Sequence, residues 1–88
     1  MMIKDRKYKS LHRLLFTRED VKNGKIPIED FYVSTMKLAT QFLAQDHTDL
    51  DKRVADELTG IVNMGDKLTF EITRTMLLDL MNDIDRGD

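Results

Sequence analysis

The chain contains no cysteine, no tryptophan, one proline and only four glycines among 88 residues. Without cysteine there is no disulfide framework and no thiolate metal site, which suits a reducing compartment. The scattered glycines offer no Gly-rich phosphate loop. No stretch approaches the roughly 20 apolar residues that a membrane span needs. The basic start MMIKDRKYK is followed only by the apolar cluster Leu14-Leu15-Phe16, too short for the core of a signal peptide. A cytoplasmic location and no stable membrane insertion are therefore expected.

What is present is a globular composition, 41% hydrophobic and 34% charged. That is too apolar for a disordered chain. Eighty-eight residues suit a single domain spanning 1–88, with a core adequate for folding but with little surplus for a deep cavity. The net charge of −2 hides an uneven distribution. Residues 1–25 carry eight Lys/Arg against three Asp/Glu, and the remainder six against thirteen, so the two parts stand near +5 and −7.

Helical periodicity runs through the whole sequence. Ile3, Tyr8, Leu11, Leu14 and Leu15 define a basic helix over about 4–16. Thr17 resembles an N-cap with acids behind it, opening a short helix over about 18–23 that stops at Asn23-Gly24. Pro27 suits the start of a helix over about 28–45, whose apolar arc is wide enough to be packed on two sides. Thr48 is an N-cap candidate for a helix over about 49–63, with Asp49 and Asp51 favourably placed in the first turn. Gly65 ends it, and Asp66 or Thr69 caps a last helix over about 69–85. Leu68, Phe70 and Ile72 alternate as in a strand, but the helical reading continues more smoothly. The predicted fold is all-α: four to five short helices in one domain, with orthogonal or bundle-like packing.

Two short patterns near the end dissolve on inspection. Asp83 and Asp85 resemble the opening of a calcium loop, yet glycine falls one position early, and nothing supplies the later ligands. Arg86-Gly87-Asp88 spells an adhesion tripeptide, but the sequence shows no export signal. Both acids sit instead at the negative end of a helix, an unfavourable placement that implies fraying or a basic partner.

Catalytic sets are thin. Ser10 and His12 lie two residues apart on one helix and diverge, so they form no nucleophile–base pair. No His-x-x-x-His or Glu-x-x-His spacing supplies a metal. Asp46, His47, Asp49 and Asp51 cluster, but capping accounts for the acids. No enzymatic activity, cofactor or metal is expected.

Two surfaces are candidates for binding. Arg6, Lys9 and Arg13, extended by Arg18, form a basic stripe opposite Leu11 and Leu15, suited to an acidic protein or to phosphates. An apolar strip of Met76, Leu77, Leu78 and Met81 on the last helix is a candidate source of affinity, either as a partner groove or as a homodimer face. The expected function is a small non-enzymatic regulator or adaptor that binds and inhibits a macromolecular partner, a protein. The alternative is a nucleic-acid-binding regulator using the basic first helix, distinguished by steep salt dependence. Short cysteine-free helical chains without catalytic sets occur among phage- and plasmid-encoded regulators of host or lysis functions, an analogy of style that rests on no motif.

Overall fold

In the computed structural model the described residues are 6–44 and 47–86, the side chains of Arg6 and Lys7 excepted. A 3₁₀ turn, Arg6–Lys9, leads into α1 (Ser10–Lys22), followed by α2 (Ile28–Phe42) and α3 (Asp49–Asn63). A second 3₁₀ turn, Gly65–Lys67, leads into α4 (Phe70–Asp85), and the described residues contain no strand. The fold is all-α, as the periodicity predicts.

The helix ends follow from local chemistry. At the end of α1 the Lys25 N–H donates to the Asp20 carbonyl at 2.9 Å and the Gly24 N–H to the Val21 carbonyl at 3.1 Å. Gly24 takes φ 77°, the left-handed conformation that this Schellman closure requires. At the start of α3 the Asp51 N–H donates to Thr48 Oγ1 at 3.1 Å, and the Thr48 N–H donates back to Asp51 Oδ2 at 3.0 Å. This reciprocal pair is a capping box with aspartate in the acidic position. Thr69 caps α4 by accepting from the Ile72 N–H at 3.1 Å.

One expected boundary is absent. The helices anticipated over 4–16 and 18–23 are a single helix, Ser10–Lys22, preceded by the 3₁₀ turn. Thr17 does not cap. Its hydroxyl donates to the Arg13 carbonyl one turn back at 2.8 Å, which satisfies a threonine inside a helix. The helix expected over 28–45 ends earlier, at Phe42, while 49–63 agrees with the structure and 69–85 differs only in that Thr69 is the cap.

The helices contact one another in a ring: α1 on α2, α2 on α3, α3 on α4 and α4 on α1. The core draws on all four, with Leu11, Phe31, Val54, Leu58, Ile61, Leu77 and Met81 among its fully enclosed side chains. Enclosing a side chain of this size is worth roughly 1.5–3 kcal/mol. The polar groups admitted to the interior are bonded locally. Thr35 and Thr73 donate to the carbonyls of Phe31 and Thr69 at 2.7 and 2.8 Å. Tyr8 closes one end of the core. Its ring stacks on Phe42 at 5.4 Å, and its hydroxyl donates to Asp51 Oδ1 at 2.6 Å.

Candidate partner-binding surface

The basic first segment divides into inward and outward cations. Lys9 and Arg13 are exposed, four residues apart on one side of the chain. Arg18 is not part of that surface. It falls four residues after Leu14 and seven after Leu11, on the face that packs inward, and it is 7% exposed. One Arg18 amino group donates to the Leu68 carbonyl at 3.4 Å, while its Nε has no partner. The side chain of Arg6 lies outside the described residues.

Between Lys9, Arg13 and the rest of the outer face of α1 stands Phe16, 63% exposed. It is three residues from Arg13, so the two side chains are neighbours on the helix surface. Asp20 follows one turn later, so the cationic part of the face ends at Phe16. Beside this face α1 and α2 enclose a groove of about 260 Å³. Ser10, Arg13, Thr17, Ser34, Lys37 and Gln41 supply its polar lining, and Leu14 and Leu38 its floor. Among the described residues its charged lining is Arg13 and Lys37, both cations. Lys37 belongs to the surface through its tertiary position, on α2 rather than on the segment that carries the stripe read in the sequence, which is why periodicity within one helix does not reveal it.

The apolar strip expected on α4 is largely interior. Leu77 and Met81 are both 0% exposed. Met76 and Leu78 are half-buried and pack against the core. On α4 only Ile72, near its start, is exposed among the described large apolar residues, at 37%, whereas Val33 and Met36 of α2 and Leu43 just past its end are 55%, 40% and 46% exposed. Val33, Met36 and Thr40 border a shallow depression of about 510 Å³, with Tyr32, Lys37 and Gln41 at its edges. The wide apolar arc of α2 was legible in the sequence, but which part of it stays uncovered was not.

The acidic clusters do structural work. Asp51 is engaged by Tyr8 and Thr48, His47 is exposed, and Asp46 lies outside the described residues. Among the described residues no group of three or more His, Cys, Asp or Glu side chains is arranged to hold a metal ion. Asp83 accepts hydrogen bonds from Arg53 of α3 and from Arg86. These two guanidiniums, Arg53 first, hold its carboxyl below the ordinary value of 3.8. Of the two acids for which the sequence left fraying or a basic partner open, Asp83 has its basic partners within the chain, and Asp85 Oδ1 has no hydrogen-bond partner among the described residues. Gly87 and Asp88 of the adhesion-like tripeptide lie outside the described residues.

No helix among the described residues is long and apolar enough to cross a membrane. Compared with protein-family models, curated proteins and solved structures, the chain matches none.

Proposed function

We propose that this chain is a non-catalytic regulatory module that binds an acidic protein, meeting it through the outer face of α1 and the groove between α1 and α2. The observation that supports this reading is Phe16. A phenylalanine left 63% exposed, directly beside Arg13, combines an apolar anchor with a cationic rim. Aromatic anchors framed by such groups carry most of the energy at protein interfaces. Arg13 and Lys37 attract acidic side chains and speed the encounter. A cysteine-free chain suits such a role in the cytoplasm.

The test is capture from a cell lysate with the tagged protein, with and without nuclease, at low and high salt. The expected result is one stoichiometric protein that survives nuclease. Phe16→Ala should weaken its binding by about 2 kcal/mol, or roughly 30-fold. Arg13→Glu combined with Lys37→Glu should slow association and lessen its salt dependence. Capture that persists with all three substitutions removes this surface from the function. Material that disappears with nuclease and falls steeply with salt transfers the function to nucleic-acid binding through the same cations.

A further inference from the structure

We propose that the groove between α1 and α2 holds a phosphoryl monoester, carried by a phosphorylated serine or threonine of the partner protein. The proposal deepens the reading above and rests on it only for the nature of the partner. What it adds is the chemistry of the group that Arg13 and Lys37 receive.

The two walls of the groove present the same residue types in the same order. On α1 they are Ser10, Arg13 and Leu14, and on α2 they are Ser34, Lys37 and Leu38. Any helix face repeats at intervals of three and four, so the spacing alone says nothing. The residue types decide. Each wall sets an exposed cation three residues after a serine and directly before a buried leucine. The leucines close the floor, so an anion resting on it meets positive charge from both helices.

Both charges are unneutralised. Among the described residues no carboxylate pairs with Arg13 or Lys37, and none lines the groove. A carboxylate carries a single charge and two oxygens in one plane, and the forked Arg13 guanidinium satisfies it alone. A phosphoserine carries about −1.5 to −2 charges at pH 7 and three strong acceptor oxygens. It can engage the guanidinium through two of them and still present charge to an ammonium on the opposite wall. A phosphodiester, the linkage of nucleic acids, has only one charge to divide between the two cations.

Ser34 adds a neutral donor. Thr17, Thr35, Thr40, Thr59 and Thr73 each spend the hydroxyl proton on the carbonyl one turn back. Ser34 makes no such bond among the described residues, although it lies within α2 and is half-buried in the groove wall. Its proton is free for an acceptor in the groove, one turn before Lys37 on the same face.

The experiment is an NMR titration of the isotope-labelled full chain with an acidic peptide bearing one phosphoserine. Matched peptides carry glutamate or serine at that position, and inorganic phosphate and dimethyl phosphate are titrated separately, each to about 10 mM. The phosphopeptide should bind roughly tenfold more tightly than the glutamate peptide, and should shift the amide signals of Arg13, Ser34 and Lys37. Arg13→Gln and Lys37→Gln should each weaken it roughly tenfold, to the level of the glutamate peptide. Ser34→Ala should weaken it roughly threefold. Unchanged circular dichroism should confirm that the variants fold.

A phosphopeptide that does not bind over this range overturns the proposal. So does equal binding of the phosphoserine and glutamate peptides, which leaves the acidic-partner reading standing. Inorganic phosphate that matches the phosphopeptide overturns it in favour of the free ion, and dimethyl phosphate that does so overturns it in favour of a nucleic-acid backbone. If the peptides behave as expected while lysate capture yields no protein, the phosphoryl chemistry of the groove stands and the partner reading fails alone.

Discussion

Helices α2 and α4 carry apolar arcs of similar promise, and the fold treats them in opposite ways. On α4, Leu77, Leu80, Met81 and Ile84 are all buried, and only Ile72, near its start, is exposed, at 37%. On α2, the inward residues Phe31 and Phe42 are enclosed, while Val33, Met36 and Leu43 remain between 40% and 55% exposed. The difference comes from position in the ring rather than from hydrophobicity. Each helix has two neighbours, α1 and α3, but α2 carries apolar residues on a third side that neither neighbour reaches. An apolar arc measures how much surface favours cover; it does not say what supplies the cover. That separates the residues that fold this chain from those free to bind.

The contrast is sharpest in stability. Leu77→Ala should cost about 2–5 kcal/mol, because it opens a cavity between packed helices. Met36→Ala should fall within about 0.5 kcal/mol of wild type. Urea midpoints compare the two directly. Equal losses would mean that the outer face of α2 is covered in the folded chain, and the contrast would collapse.

The inner face of α2 makes a second prediction through Tyr8, which stacks on Phe42 and donates to the buried Asp51. Asp51→Ala removes this bond and the capping box together, and should cost about 2–4 kcal/mol. Tyr8→Phe keeps the stack and the cap but removes one hydrogen bond to the buried carboxylate, for about 1–2 kcal/mol. If Tyr8→Phe proves silent, the first turn of the chain is not held to α3 through this bond.

The cations of α1 repeat the contrast in a different chemistry. Arg13 is in water, whereas Arg18 is enclosed with one long hydrogen bond and an unpartnered Nε. Among the described residues no carboxylate forms an ion pair with it. Arg18→Met keeps the volume and removes the desolvation cost, so it should be neutral or stabilising by about 1 kcal/mol. Arg13→Met should leave stability unchanged while weakening partner capture. A large loss on Arg18→Met would instead make its bond to the Leu68 carbonyl an essential tie between α1 and the start of α4.

Much of this architecture could be read from the sequence where short-range chemistry decides it. Gly24, the Thr48 cap and the Thr69 cap are legible because each acts within a few residues. Thr17 misleads for the same reason, since a threonine followed by two acids looks like a helix start. Its hydroxyl had a carbonyl available one turn back, and nothing nearby broke the helix. The inward turn of Arg18 had a signal in its spacing from Leu11 and Leu14, outweighed by its charge. The meeting of Arg13 with Lys37 and the exposure of Phe16 had none, because they depend on how α1 and α2 pack. The α4 strip was misplaced for a related reason: covered and uncovered leucines are identical in sequence.

The smallest expected effect lies at the end of α4, where local rules and tertiary contacts oppose each other. Asp83 sits in the last turn, where the helix dipole disfavours a negative charge. Arg53 and Arg86 reverse that preference and lower its pKa. A carboxyl lowered in the folded state contributes stability above its ordinary value of 3.8 and loses it as the pH falls through the folded value. Wild-type stability should therefore decline more steeply than that of Asp83→Asn as pH drops below 3.8, and high salt should narrow the gap. At neutral pH the difference should be slight, because the substitution loses an exposed ion pair and also relieves the dipole. Arg53→Gln should then cost more than Asp83→Asn, since it leaves the charge at the negative helix end with one fewer cation. Urea titrations of the three proteins across the acid range separate these terms. Parallel pH slopes for wild type and Asp83→Asn would show that the guanidiniums do not hold this carboxyl in solution, and that α4 ends as its local sequence alone dictates.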